Sequence, residues 1–432
     1  MDYSDKQKIW VVSVSMGYGH QRTAYPLKGL AFDGEIINAN SYKGIPKKDK
    51  KVWKTTKKFY ESISRFKRVP LIGEFFFSVF DRFQRILAFY PKRDLSSPNF
   101  SLKRTYALFK NGWGKDLVQK LKKKPRPIVS TFFIPAFMAE VFNYPSDIYC
   151  VVCDADIARP WAALNPQSSR IKYFAPTERV VERLKLYGVK PQNIFLTGYP
   201  LPLENIGSED LELLKHDLAH RLLNLDPKKR YFRQYQALID RYTVDLPEKS
   251  DHIFTVMFAV GGAGAQKEIG YRVLKSLKNK TQDGKIKLIL VAGIRERVKN
   301  YFLNCIERLD LKKGVEIIFN NKINGYFKDF NLALRKTDIL WTKPSELSFY
   351  TGLGLPIIIA PSIGSQENYN RKWLLELGSG ILQNDPDHTD EWLFDLLESG
   401  WFAEAAMQGF IEAEKRGVFN IAKIVSKPPD FR

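Results

Sequence analysis

Cysteine, histidine and methionine are scarce in this 432-residue sequence, which holds 3 Cys, 5 His and 5 Met. Cys150, Cys153 and Cys305 are too few and too scattered for a disulfide framework, which points to a reducing compartment. Cys150 and Cys153 form a C-x-x-C, yet no second Cys/His pair follows to complete a zinc or redox site. They lie in the apolar run 148–153, which reads as a buried strand carrying two small apolar residues. Long apolar runs are also missing. No stretch reaches the roughly 18 apolar residues that span a bilayer, and the run 9–14 behind Lys6 and Lys8 is too short for a secretory signal. The expectation is a cytoplasmic protein, not integral to a membrane. Acidic residues are outnumbered, 47 against 68 Lys and Arg, for a net charge of +21. At 44% apolar and 27% charged the chain is globular rather than disordered. Its length exceeds what one core supports, so two domains are expected.

What is abundant is basic charge in one place. Residues 43–126 hold 24 Lys/Arg and 6 Asp/Glu, a balance of +18, together with 15 aromatics. Trp53, Phe75, Phe76 and Phe80 interleave there with lysines that include Lys122, Lys123 and Lys124. Such a surface suits an anionic bilayer face, which offers charge and apolar matter together. Apolar residues at helical spacing between 71 and 83 predict a helix within this insertion.

Outside the insertion, strands and helices alternate. In the first half, strands are expected at 9–14, 35–38, 128–133, 148–153, 171–174 and 194–197, with a helix at 178–187. In the second half they are expected at 253–260, 286–292, 315–319, 339–341 and 357–360. Residues 204–250 read as a helical linker elaboration with Leu213, Leu214, His216, Leu218, Leu222 and Leu223 on an apolar stripe. His216 and His220 share metal-ligand spacing without a third ligand, so a surface helix is the better reading. The expected division is an N-terminal domain 1–203 carrying insertion 43–126, a linker 204–250, a C-terminal domain 251–390, and helices over 391–432 that pack back toward the first domain. The architecture is α/β, two parallel-sheet domains facing a central cleft.

Four loops at strand ends carry the chemistry. After the first strand comes Ser15-Met-Gly17-Tyr-Gly19-His20, which puts His20 at a helix entrance. The helix dipole holds an imidazole neutral there, and a neutral histidine can act as a general base; a capping or packing histidine is the competing reading. Asp154-Ala-Asp156 follows the fourth strand of the first half, with Asp154 directed to the cleft and no bound metal. Gly261-Gly262-Ala-Gly264-Ala-Gln266 lies between a strand and a helix, a setting in which glycines let backbone N–H groups approach a diphosphate. A tight strand-to-helix turn explains it equally. Finally, the stretch 341–370 reads as a βαβ unit whose loops concentrate Lys343, Ser345, Glu346, Gln366, Glu367 and Asn370. Neutral and acidic groups suit sugar hydroxyls, and a lysine suits a phosphate.

On these residues the chain resembles the lipid glycosyltransferases that include monogalactosyldiacylglycerol synthase and the processive diacylglycerol glucosyltransferases, a glycosyltransferase family 28-like group. The likeness rests on Gly17, Gly19 and His20, on Asp154 followed by Trp161, on Thr197-Gly198-x-Pro200, on the Gly261–264 loop, on Thr342-Lys343-Pro344, on Gly354-Leu355-Pro356, and on Gln366-Glu367-x-x-Asn370, in that order. The resemblance implies a GT-B fold of two Rossmann-like domains and a metal-independent, inverting hexosyl transfer from a UDP-sugar to a lipid acceptor of diacylglycerol type. It implies no cofactor beyond the donor substrate. It also implies that Gly261, Gly262, Gly264, Lys343, Ser345, Glu346, Gln366, Glu367 and Asn370 face the donor. His20 and Asp154 become the base candidates, with Gly17, Gly19 and Trp161 on the acceptor side. The insertion 43–126 becomes a peripheral attachment to the cytoplasmic face of an anionic membrane. Phe349 stands where relatives carry a ribose-binding Glu, and Glu346, one turn earlier, is a candidate to replace it. Two other functions compete: a sugar-nucleotide epimerase of the same fold, which has no use for the insertion, and a non-catalytic nucleic-acid binder. Confinement of the charge to one insertion, away from the loop motifs, argues against nucleic acid.

Overall fold

Val11 and Val12, with no exposed surface, open a run of strands whose apolar residues face helices on both sides, as parallel strands require. The computed structural model describes residues 7–66, 86–243, 246–259, 264, 266–311, 313–362 and 364–426, with the backbone alone at 57–66 and 365. The chain divides into two units, one of residues 1–200, 363–370 and 416–432, the other of residues 201–362 and 371–415.

The first unit holds β1 (Ile9–Ser13), β2 (Ala31–Asn38), β3 (Ile128–Ser130), β4 (Ile148–Val151), β5 (Lys172–Ala175) and β6 (Ile194–Leu196). They form one sheet in the order β2-β1-β3-β4-β5-β6, parallel throughout. Chain order reverses between β1 and β3, so the loops leaving these two strands diverge and open a crevice at their C-terminal ends. The second unit holds β7 (Thr255–Ala259), β8 (Lys287–Gly293), β9 (Val315–Phe319), β10 (Ile339–Thr342), β11 (Ile357–Ile359) and β12 (Gly380–Leu382). Its parallel order, β12-β11-β10-β7-β8-β9, is the Rossmann order, with the reversal between β7 and β10. The α/β class with two Rossmann-like parallel-sheet domains is as expected. β12 is an addition: three residues between Ser379 and Gln383 are too few to show a period.

Within 43–126 the described helices are Lys47–Phe66, Phe100–Lys110 and Lys115–Lys122. The helix expected between 71 and 83, with Phe75, Phe76 and Phe80, lies outside the described residues. Trp53 is corrected by its burial: it is 3% exposed and packs edge-on to Trp113 at 4.9 Å, so it is core and no membrane anchor. Lys122, Lys123 and Lys124 are exposed, and among the described residues of 43–126 the exposed large apolar side chains are Leu87, Tyr90 and Phe100. Among the described residues no helix is long and apolar enough to cross a membrane.

Residues 204–250 belong to the second unit, mainly as helices Glu212–Leu225 and Arg230–Tyr242. Helix Glu212–Leu225 buries Leu214, Leu218, Leu222 and Leu225. His216, expected on that stripe, is exposed instead, its ring 4.6 Å from that of His220. The same helix buries Arg221, whose guanidinium donates to the carbonyls of Thr337 (2.8 Å), Leu353 (2.6 Å) and Leu334 (3.3 Å). Beside it, Gly354 ends the 3₁₀ helix Glu346–Leu353 at φ +67°, where an added Cβ would sit 2.5 Å from Leu218 Cδ1. Gly354→Ala therefore incurs both left-handed strain and overpacking. We expect a loss of about 2 kcal/mol or more, read as a lower urea midpoint at unchanged slope. Of the C-terminal helices, Thr389–Ser399 and Trp401–Glu412 lie in the second unit and Gly417–Val425 in the first. There Asn420 Nδ2 donates to Thr197 O at 2.9 Å.

Candidate functional site

In the first unit, the reversal between β1 and β3 brings His20 to Thr131. Gly17 takes φ +98° with open space around it, so the loop needs glycine for its turn and not for room. Asn40 holds the same loop by accepting from Ser15 N at 3.1 Å. His20 is the second residue of helix Gly19–Ala24, which is only six residues long. A hydrogen bond sets the tautomer of its ring. His20 Nδ1 lies 2.8 Å from Thr131 O, and a carbonyl only accepts, so the proton sits on Nδ1 and the basic lone pair on Nε2. Thr131 also returns its hydroxyl to His20 O at 2.9 Å, gripping the residue twice.

Sequence reasoning missed Cys153, whose Sγ lies 3.4 Å from His20 Nδ1. Cys150, on β4, is fully buried, and burial pushes its thiol up, so it stays protonated. The C-x-x-C is thus a strand residue followed by a neighbour of the histidine, and no disulfide joins the three cysteines. Phe132 lies 4.6 Å and Trp161 6.3 Å from the imidazole, ring centre to ring centre. Trp161 is 4% exposed, so it is the wall behind His20 and not an open platform.

Asp154 follows Cys153 directly. Its Oδ1 accepts from Asn370 Nδ2 at 3.2 Å, and Asn370 Oδ1 accepts from Ala155 N at 2.7 Å. Asp156, its neighbour two residues on, does a different job: it pairs bidentately with buried Arg183, at 2.8 Å to both Nε and Nη2. Although burial works against the Arg183 charge, Asp156 lifts this guanidinium above its ordinary value. Gln366 and Glu367 stand half-buried on the first turns of helix Ser365–Glu376, in the part grouped with the first unit.

In the second unit, the reversal between β7 and β10 gathers the other candidates. Gly261 and Gly262 lie outside the described residues. Gly264 takes φ +65°, and an added Cβ would meet Val298 Cγ2 at 2.7 Å. Gln266, also left-handed, caps helix Lys267–Ser276 and donates to Pro361 O at 2.7 Å, tying the β7 loop to the β11 loop. Thr342 Oγ1 lies 3.3 Å from Ala259 O and ties the ends of β10 and β7. Lys343, Ser345 and Glu346 follow, all half-buried. Phe349 is 3% exposed against Trp373 at 5.0 Å, a packing position. Among the described residues no group of three or more His, Cys, Asp or Glu is arranged to hold a metal.

Residues 296–427 match a family described as "Domain of unknown function (DUF6938)", which covers less than a third of the chain. The chain is similar to proteins named processive diacylglycerol beta-glucosyltransferase. It is 23% identical to that of Bacillus subtilis over 232 residues, 52% of this chain and 49% of that protein. It is 22% identical to that of Bacillus licheniformis over 303 residues, 68% of this chain and 67% of that protein. The match thus spans about half the length of the Bacillus subtilis relative. Among solved structures, a putative UDP-N-acetylglucosamine 2-epimerase from Listeria monocytogenes aligns with a TM-score of 0.45 at 14% identity, over 72% of this chain and 74% of that one.

Proposed function

We propose that this chain is an inverting, metal-independent glycosyltransferase that moves a hexosyl group from a UDP-sugar to a lipid acceptor of diacylglycerol type. The observation that carries this reading is the fixed tautomer of His20. With Nδ1–H bound to the Thr131 carbonyl, Nε2 can take the proton of the acceptor hydroxyl. The hydroxyl oxygen then attacks the anomeric carbon from the face opposite the nucleotide, and the bond from that carbon to the diphosphate oxygen breaks. UDP departs with the negative charge. Asp154, one residue past the Cys153 that meets His20, is the alternative base. In the second unit, the N-terminus of helix Lys267–Ser276 and the charge of Lys343 suit the diphosphate, so no metal is required. Ser345 and Glu346 suit the nucleotide's ribose, and Gln366 and Glu367 the sugar hydroxyls. The names of the Bacillus relatives favour a diacylglycerol acceptor.

The basic surface of 43–126 serves attachment to an anionic membrane face. A handful of its lysines suffices, at about 1 kcal/mol for each basic residue near such a surface. The test is incubation with labelled UDP-glucose, UDP-galactose or UDP-N-acetylglucosamine and diacylglycerol in vesicles containing anionic lipid. A glycolipid product is expected, at a rate unchanged by EDTA, with vesicle binding that weakens as salt rises. No product from any of the three donors overturns the reading, and loss of turnover in EDTA overturns its metal-independence. Conversion of a free UDP-sugar to its epimer, without any glycolipid product, supports the epimerase instead.

A further inference from the structure

We infer that Asn370, the last residue of the Gln366-Glu367-x-x-Asn370 motif, is a positioning residue for Asp154 and not a ligand of the donor sugar. The inference rests on the transferase reading and refines it. Asn370 has no exposed surface. Both ends of its carboxamide face the turn that follows β4. Oδ1 accepts from the Ala155 amide at 2.7 Å, and Nδ2 donates to Asp154 Oδ1 at 3.2 Å. This orientation is forced, because a peptide N–H only donates and a carboxylate only accepts. One side chain therefore grips the carboxylate and the peptide beside it.

The surroundings make the grip rigid. The Ala155 carbonyl accepts from Thr177 Oγ1 at 3.3 Å, and Asp156 is clamped by Arg183. On the helical side, Tyr369 donates its hydroxyl to Ile86 O at 2.8 Å. The turn carrying Asp154 is fixed after the carboxylate by Arg183 and beside it by Asn370. Position i+4 places Asn370 on the same helical face as Gln366. The motif then divides by burial: Gln366 and Glu367 are half-buried and able to meet a ligand, whereas Asn370 is spent on protein.

The test compares Asn370→Ala, Asp154→Ala and the double variant in two assays. In turnover, Asn370→Ala lowers kcat by roughly 10–100-fold, as expected of a misplaced reacting group, with KM for the UDP-sugar unchanged. The double variant is no slower than Asp154→Ala alone, because both changes remove one arrangement. In urea unfolding, the two single losses do not add. Asn370→Asp keeps the acceptor for the Ala155 amide while setting a carboxylate against Asp154. It guards against misfolding and should lose kcat while retaining UDP-sugar affinity. A raised KM in Asn370→Ala, with effects that multiply in the double variant, would make Asn370 a sugar ligand and overturn the inference. A wild-type chain that turns over no UDP-sugar would instead defeat the transferase reading. The unfolding cycle and UDP-sugar binding would then decide the role of Asn370 on their own, additive unfolding losses or weakened binding overturning it.

Discussion

His20→Ala leaves the chain folded and able to bind UDP, and lowers kcat by about 10²–10⁴-fold, the usual worth of a general base. Thr131 holds the Nδ1 proton through its carbonyl at 2.8 Å and the His20 carbonyl through its hydroxyl at 2.9 Å. In the neutral ring this leaves Nε2 as the basic nitrogen. Phe132 and Trp161 flank the imidazole as tilted rings, so truncation leaves a gap beside them. Added imidazole should restore part of the lost kcat. A histidine that only packs gives the opposite pattern: a lower melting temperature, unchanged turnover and no response to imidazole.

Asp156→Ala costs about 3–5 kcal/mol of stability, because it leaves a buried guanidinium without its partner. Arg183 and Asp156 have side chains 1% and 5% exposed, so water cannot take over the lost bonds. Urea unfolding followed by circular dichroism measures the shift, and Asp156→Asn should fall between the wild type and Ala. Asp154→Ala, two residues away, is the internal control. It should lose turnover while keeping most of the stability, since Asp154 is half-buried and pairs with a neutral amide. If Asp156→Ala unfolds at the wild-type midpoint, the pair is not holding the turn.

The sheets were legible because parallel strands are buried on both faces and appear as unbroken apolar runs. Loops at strand ends were legible too, since glycines and polar residues cluster there. What joins those loops was not. His20 meets Thr131 and Cys153 across 111 and 133 residues, and no local period reports such a contact. Trp53 misled because interleaved charge and aromatics reveal a composition without saying which face turns inward. Its helical neighbour at i−4, Asp49, is buried with it and accepts from Gly114 N at 3.1 Å, so that face points into the protein. The bonds of Asn370 to Ala155 and Asp154 were illegible for a related reason: a motif's spacing shows which residues share a helical face, but not what each side chain meets.

Helix Gly417–Val425 bears on how the chain is made. It covers the first unit, with Asn420 bonded to Thr197 across 223 residues and Gly417 so close to Tyr199 that a Cβ would lie 2.2 Å from its carbonyl oxygen. The first unit therefore lacks the helix that buries Val418, Phe419 and Ile421 until the whole second unit has been synthesised. The unit begun first is completed last, and the apolar surface that waits for this helix is open to aggregation in that interval.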